Sequence, residues 1–179
     1  MAELQRLRAD HGQAVLAFER ANREWFAASV SDRGDEFFAR FPQRFAALLA
    51  DQEADRGAYY VLAGPDGEVL GRFNLFLDRP AADGVAELGY RVAQHAAGRG
   101  LATATVRKLC QLAGSRHGLH TLRAAVSHGN IASQRVLIKS GFRLAGPADP
   151  ADLGGKEGTW YARAAGEDPG RTAARRSGD

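Results

Sequence analysis

Residues 85–127 restrict the fold more than any other part of the sequence, because they predict a strand, a glycine loop, a helix and a second strand in succession. The strands are "VAELGYRV" at residues 85–92 and "TLRAAVS" at residues 121–127, and Gly98 and Gly100 stand just before the stretch of helical spacing. Two strands that a helix joins within one sheet run parallel, with a right-handed crossover. The segment therefore predicts a parallel pair of strands.

The other strand signals predict antiparallel pairing. The runs "AYYVLAG" and "EVLGRFNLFL" flank the turn signal "PDG" and indicate a hairpin, and the turn-like "DRPAADG" leads from it to residues 85–92. "ELQRLR" near the start and "GTWYARA" at residues 158–164 indicate a first and a closing strand. The expected fold class is α+β, with a mostly antiparallel mixed sheet and helices on both of its faces.

The first half of the chain predicts two helices before the hairpin. One runs through residues 14–28 with Asp10 as its N-cap, and the other covers residues 36–54, where Pro42 is expected to kink or divide it. The apolar positions of the first helix that are expected to face the core are Val15, Phe18 and Phe26.

The second half of the chain predicts two more helices. The helix after the glycine loop is expected to end near Gly114. The last helix is expected to begin with Asn130 as its N-cap and to end with Gly141 at the C′ position. The strand at residues 158–164 is the next element predicted along the chain.

Length and composition fit one domain. The chain has 179 residues, of which 45% are hydrophobic, and we expect a domain over residues 1–165 and a disordered tail over residues 166–179, which have no large apolar side chain to bury. No apolar run approaches the ~20 residues of a membrane span, and residues 1–10 do not resemble a signal peptide, so a cytoplasmic protein without a membrane partner is expected. The lone Cys110 suggests neither a disulfide nor a metal site, and we expect it to be a buried helix residue.

The charge balance argues against a nucleic-acid partner. Lys and Arg number 24 against 21 Asp and Glu, which leaves a formal net charge of +3, and the basic residues are spread along the chain. An RNA- or ribosome-associated domain is kept only as a third hypothesis, which weak and salt-insensitive binding to RNA would remove.

The glycine loop is a candidate phosphate site. Glycines adopt positive φ without strain, and the free amides at a helix start attract anions, so Gly98 and Gly100 can form an anion nest with Arg99 at its rim. A P-loop is excluded, because Leu101 and Ala102 follow the second glycine where Lys and Ser or Thr are required. The dinucleotide-binding fingerprint is excluded by Thr103, which stands where its third glycine or alanine belongs. A simple turn remains an alternative.

Two longer runs resemble a known family. "ELGYRVAQHAAGRGLATATVRKL" and "AAVSHGNIASQRVLIKSGFRL" resemble the paired acetyl-CoA motifs of the GNAT N-acetyltransferases, and within them the RimJ/RimL-type ribosomal-protein alanine N-acetyltransferases. The resemblance covers roughly residues 3–164 and is strongest over residues 87–144. His95 departs from it, since Gln or Arg is usual at that position. The resemblance implies the GNAT fold, with the sheet splayed between the fourth and fifth strands and acetyl-CoA as cosubstrate in the opening.

The resemblance also implies which residues bind acetyl-CoA. The pantetheine arm would pair with the backbone of the fourth strand, and the pyrophosphate would lie on the amides of the loop and the helix start. The asparagine of the second motif would contact the arm. The cofactor-binding residues so implied are Tyr90, Arg91, Val92, Ala97, Gly98, Arg99, Gly100, Leu101, Ala102, Asn130 and Ser133.

For catalysis, the resemblance implies direct attack by the amine, with no covalent enzyme intermediate. The oxyanion would be bound by a backbone amide near Val92. Many members protonate the thiolate with a tyrosine, but Leu137 stands at that place, and the RimJ/RimL pattern instead makes Ser133 the acid. The alternative is that Asn130 only caps its helix and Ser133 only occupies the first turn.

The sequence identifies the general base less clearly than the general acid. Alternation places Glu87 on the face of Gly89 and Arg91, and it is the first candidate, directly or through water. His128 is the second candidate. One related subgroup uses a glutamate as the base, but Ala125 stands at the corresponding position here, so this role does not transfer. An α-amine is partly neutral near neutral pH, so an explicit base is not required.

The resemblance places the acceptor site against residues 21–38, where aromatic side chains alternate with acids that would attract an amine. The expected acceptor is a primary amine, either a protein N-terminal Ala or Ser or a small molecule. The alternative is that residues 21–38 have only a structural role, in which their aromatic side chains pack between helices and their charged side chains form a solvated turn. An acyl-CoA-binding regulatory module without transferase activity is the second hypothesis, and the oligomeric state, a homodimer included, is left open.

Overall fold

The computed structural model describes residues 1–77 and 84–166. Most of the turn predicted at residues 78–84 and nearly all of the tail predicted at residues 166–179 lie outside the described residues. The described strands are β1 (Glu3–Arg6), β2 (Gly57–Ala63), β3 (Val69–Leu77), β4 (Val85–Val92), β5 (Thr121–Ser127), β6 (Arg143–Ala148) and β7 (Gly158–Ala164). The described helices are α1 (Gly12–Ala21), α2 (Arg23–Ala27), α3 (Asp35–Ala39), α4 (Phe41–Glu53), α5 (Leu101–His117) and α6 (Ile131–Lys139).

The sheet confirms the predicted fold class. Its seven described strands are hydrogen-bonded in the order β1-β2-β3-β4-β5-β7-β6. The hairpin of β2 and β3 is antiparallel, with Tyr60 opposite Phe73. β4 and β5 are parallel and pair from Val85 to Glu87, and β4 continues to Val92 beyond this pairing.

The described residues fall into two compact units. The first holds residues 1–77 and 88–101, and the second holds residues 84–87 and 102–166. In the first unit, β1, β2 and β3 form an antiparallel ladder, and α1 packs on β3 and α4 on β2. In the second unit, β7 pairs antiparallel with both β5 and β6. The assignment of residues 1–165 to a single domain stays a prediction.

The first unit corrects one helix prediction and confirms another. The helix expected over residues 14–28 is divided at Asn22 into α1 and α2, and Asp10 is not its N-cap but lies in a 3-10 turn, where its carboxylate binds Arg8. Pro42 divides the second predicted helix, since it occupies the first turn of α4, where its missing N–H costs nothing. Val15, Phe18 and Phe26 are buried as expected.

The second unit contains two further differences from the sequence expectations. α5 runs past Gly114 to His117, and a Cβ on Gly114 would lie 2.8 Å from the Cα of Gly166. This glycine therefore permits a close approach of two backbones and does not end the helix. β6 was not predicted, and five of its six residues are exposed. α6 is capped by Asn130, and Gly141 follows it with a φ of +88°, as expected.

Candidate functional site

The glycine loop has the backbone that an anion nest requires. Gly98 and Gly100 both have a φ of +76°, with Arg99 between them, and α5 begins directly afterwards. A Cβ added to either glycine would meet nothing within 4 Å. The glycines are thus needed for their left-handed conformation and not for lack of space. Alternation of conformation along such a loop turns successive amides to one side, where they can bind an anion.

The start of the loop is held by a side chain that the sequence did not reveal. Asn22 is buried; its Nδ2 donates to the carbonyl oxygen of Phe18 at 2.9 Å, and its Oδ1 accepts from the backbone N–H of Gln94 at 2.9 Å. The next hydrogen bond upstream joins the N–H of Ala93 to the carbonyl oxygen of Leu70, also at 2.9 Å. The break between α1 and α2 therefore serves to fix the residues that follow β4.

The end of β4 carries two more contacts of interest. The ring of Tyr90 stacks on Phe73 with 5.7 Å between centroids. The indole N–H of Trp25 donates to the carbonyl oxygen of Val92 at 3.1 Å, and Trp25 is 41% exposed. Trp25 is one of the aromatic residues expected at an acceptor wall, and this hydrogen bond brings it to the strand end that was expected to bind the cofactor. The predicted oxyanion role of the Val92 amide stays a prediction.

A cluster of charged side chains, called here the arginine cluster, consists of Glu19, Arg33, Arg72 and Arg91. Arg72 Nη1 donates to Glu19 Oε1 at 2.6 Å, Arg33 Nε donates to Glu19 Oε2 at 3.2 Å, and Arg91 Nη1 lies 3.5 Å from the same Oε2. Glu19 is 1% exposed and the Arg72 side chain 5%. Three guanidinium groups therefore share one buried carboxylate, which the sequence did not predict.

Burial affects Arg72 and Arg91 of this cluster. Burial lowers the pKa of Arg72, and it lowers the pKa of Arg91 to about 10. For both groups, the positive charge of Arg33 lowers the pKa further, and the negative charge of Glu19 opposes the shift. With a pKa of about 10, Arg91 stays charged near neutral pH. The Arg91 side chain also lies over the Phe26 ring at 5.0 Å, so any role of this position in cofactor binding would fall to its backbone.

Three of the four acids in residues 21–38, the expected acceptor wall, have arginine partners. Asp32 and Asp35 each lie 2.7 Å from the guanidinium group of Arg23. Glu36 Oε1 lies 3.4 Å from Arg40 Nε. These carboxylates are already neutralised by protein cations, which weakens the expectation that they attract an amine.

The second unit holds the other predicted site residues. Asn130 Oδ1 accepts from the backbone N–H of Ser133 at 3.2 Å, so the capping role considered for Asn130 is present. Ser133 is half-buried in the first turn of α6. Leu137, at the place of the family tyrosine, is 0% exposed and belongs to the core. Ala102 is in the first turn of α5.

The two candidate bases also lie in the second unit. Glu87 is half-buried on β4, in register with Arg123 of β5. His128 is exposed, and its Nε2 lies 3.0 Å from Thr159 Oγ1. The assignment of a base to either residue stays a prediction.

The described residues give no support to a reactive cysteine, a metal site or a membrane-spanning helix. Cys110 is fully buried, as expected, and burial raises the pKa of its thiol to about 11, so it carries almost no thiolate at neutral pH. Within residues 1–77 and 84–166, no group of three or more His, Cys, Asp or Glu side chains is placed to hold a metal ion. None of the helices in these ranges has the length and apolar character of a membrane span.

Comparison with known proteins agrees with this picture. The acetyltransferase (GNAT) domain model matches residues 3–143. The probable N-acetyltransferase YjcK of Bacillus subtilis (strain 168) is 27% identical over 136 residues, which are 74% of this chain and 75% of that protein.

Two solved structures have similar folds. Ribosomal-protein-S5-alanine acetyltransferase from Vibrio fischeri superposes with a TM-score of 0.83 at 18% identity, over 92% of this chain and 93% of that one. RimJ from Mycobacterium smegmatis, in complex with CoA-disulfide, gives a TM-score of 0.81 at 24% identity, over 98% of this chain and 89% of that one. At these identities the likeness concerns the fold.

Proposed function

The chain belongs to the acetyltransferase (GNAT) domain family, and we propose that it moves the acetyl group of acetyl-CoA to a primary amine, either a peptide N-terminal Ala or Ser or a small molecule. The enzyme class follows from the family, whose N-acetyltransferase-named relatives include YjcK. The observation that carries the proposal is the pair of glycines with a φ of +76° between β4 and α5, within the matched residues.

The glycine loop is proposed to bind the pyrophosphate of acetyl-CoA. The amides of residues 98–101 supply donors without desolvating a buried charge, whereas the Ala97 N–H already donates to the carbonyl oxygen of Gln94 at 3.2 Å. Arg99 is exposed at the rim, where it can approach the phosphates. The backbone of Tyr90, Arg91 and Val92 is proposed to pair with the pantetheine arm as a strand would. Asn130 is proposed to contact that arm in addition to capping α6.

The reaction needs a neutral amine, stabilisation of the tetrahedral oxyanion and a proton for the departing thiolate. The amine attacks the thioester carbonyl carbon, the carbonyl π electrons move to oxygen, and the C–S bond breaks as the intermediate collapses. We assign the oxyanion to the Val92 amide and protonation of the sulfur to Ser133. Glu87 takes the proton that the nitrogen loses as the amide forms, directly or through water; an amine that arrives neutral needs no earlier deprotonation, but its nitrogen still loses this one proton.

The first experiment is calorimetric titration of the folded protein with acetyl-CoA, CoA and ATP. Micromolar binding of both CoA forms with clearly weaker binding of ATP supports the proposed loop. Thiol release is then followed with peptides that begin with Ala or Ser and with small amines. Binding without any turnover would favour the regulatory module, and no binding at all would overturn the assignment of the cofactor.

Replacing Ser133 with Ala is expected to lower kcat by ~10²-fold, because a general acid in the transition state contributes at least that much. The affinity for acetyl-CoA should change little. Ser115→Ala serves as the matched control, because Ser115 is an exposed helix serine whose Oγ donates to the carbonyl oxygen of Gln111. Steady-state kinetics and calorimetry on both variants make the comparison, and an unchanged kcat in Ser133→Ala would remove this residue from the mechanism.

A further inference from the structure

Within hydrogen-bond distance, the arginine cluster holds three guanidinium groups and one carboxylate. Its three arginines meet the one carboxylate of Glu19, and each of the two oxygens of that carboxylate already faces two guanidinium groups. Like charges held close together in a buried place repel one another strongly, because the local dielectric is low. A second anion at the cluster would relieve this repulsion.

The cluster also keeps an unused donor. Arg72 Nε is buried and has no hydrogen-bond partner among the residues that the structure describes, although the Arg72 side chain is only 5% exposed. Buried polar atoms are normally paired, and an unpaired one is costly, so such atoms point to a partner that arrives with a ligand.

Solvent reaches two side chains of the cluster. The side chains of Arg33 and Arg91 are 30% and 19% exposed, whereas Arg72 and Glu19 are buried behind them. Both outer guanidinium groups are held by aromatic rings, Arg33 over Phe37 at 4.6 Å and Arg91 over Phe26 at 5.0 Å. They are therefore fixed in place before any ligand binds, which lowers the entropic cost of binding.

We propose that the arginine cluster binds an anionic group of the acyl acceptor, so that the preferred acceptor is an amine that also carries a carboxylate. This inference rests on the proposed acetyl transfer and narrows its substrate class. Guanidinium groups bind carboxylates through paired N–H donors, and a fixed set of them discriminates against a neutral amide of the same shape. The carboxylate belongs either to a free amino acid or to an acidic side chain near a peptide N-terminus.

The test compares acceptors that differ by a carboxylate and its amide, with each rate referred to the neutral fraction of the amine, because an α-carboxylate raises the pKa of the neighbouring amine. The kcat/KM for alanine is measured against alaninamide, and that for the amidated peptide Ser-Glu-Ala against Ser-Gln-Ala. The wild-type enzyme is expected to favour the acidic member of at least one pair by about tenfold or more. The pair that shows the preference identifies the source of the carboxylate.

The variant Arg33→Gln is expected to lose most of this preference. Because the ratio is taken between two acceptors on one enzyme preparation, a change in the fraction of folded protein cancels. Arg44→Gln is the matched control, since Arg44 lies over the same Phe37 ring at 5.8 Å and is not part of the cluster. Its acceptor ratio should equal that of the wild type.

A second readout does not depend on turnover. With CoA present at saturation, inorganic phosphate is titrated into the three proteins, and the thermal midpoint should rise in wild type and in Arg44→Gln but much less in Arg33→Gln. Equal rises in all three, or a wild-type acceptor ratio near one in both pairs, would overturn the anion site. Turnover of no amine at all would overturn the proposed function, and the phosphate titration would then decide the cluster by itself.

Discussion

Glu19→Gln is expected to lower the free energy of unfolding by about 3–5 kcal/mol, the usual loss when one partner of a buried ion pair is removed. Glu19 is 1% exposed, and Arg72, which donates to it at 2.6 Å, would be left buried without a counter-charge. Arg33 and Arg91 would lose the same carboxylate. Urea denaturation of both proteins, with the slope compared as well as the midpoint, measures the change.

The control for this prediction is a carboxylate that also pairs with an arginine but lies at the protein surface. Asp35 lies 2.7 Å from an Arg23 guanidinium nitrogen, but its side chain is 94% exposed, so Asp35→Asn should cost less than about 1 kcal/mol. A loss in Glu19→Gln as small as that in Asp35→Asn would contradict the description of the cluster as a buried network. The contrast tests burial, because both variants replace a carboxylate with an amide.

Gly100→Val is expected to weaken acetyl-CoA binding by ~10²-fold or more. The φ of +76° at Gly100 is strained for any residue with a Cβ and most of all for a β-branched one, so the loop would rearrange. Rearrangement would turn away the amides proposed to bind the pyrophosphate, and hydrogen bonds to charged groups are among the strongest in proteins. Calorimetric titration with acetyl-CoA measures the loss.

Gly67→Val provides the matched control for the loop. Gly67 has a φ of +80° in the turn between β2 and β3, and a Cβ there also meets nothing within 4 Å. The two variants therefore introduce the same strain in equally open places. Wild-type affinity is expected in Gly67→Val, and similar affinities in both variants would exclude the glycine loop from the cofactor site.

Where local signals determine an element, the sequence predicts it well. β4 and β5 have the predicted bounds, the hairpin of β2 and β3 forms around its turn signal, and Pro42 divides two helices as expected. Gly114 is different, because its role depends on a backbone that approaches from Gly166. β6 was missed because its residues are mostly exposed and include glycine and proline, so they lack the alternation that marks a strand.

The same limit applies to the candidate site. The glycine loop is contiguous in sequence and could be predicted, and its positive φ angles agree with that prediction. The arginine cluster could not, since its arginines lie 14, 53 and 72 positions from Glu19. No period or motif joins residues at such separations. Tertiary packing brings them together: Glu19 lies on α1, Arg72 on β3 and Arg91 on β4, and Arg33 reaches Glu19 from the loop before α3.

The hydrogen bond from Trp25 to the carbonyl oxygen of Val92 has an optical consequence. Indole emission depends on the polarity around the ring, and Trp25 is half-exposed at the end of β4, shortly before the glycine loop. The chain contains two tryptophans, and the other, Trp160, lies under the Arg123 guanidinium in the second unit. A Trp160→Phe protein would thus have a single tryptophan, whose emission can be excited apart from that of the four tyrosines and reports, without any label, when a ligand arrives at this strand end.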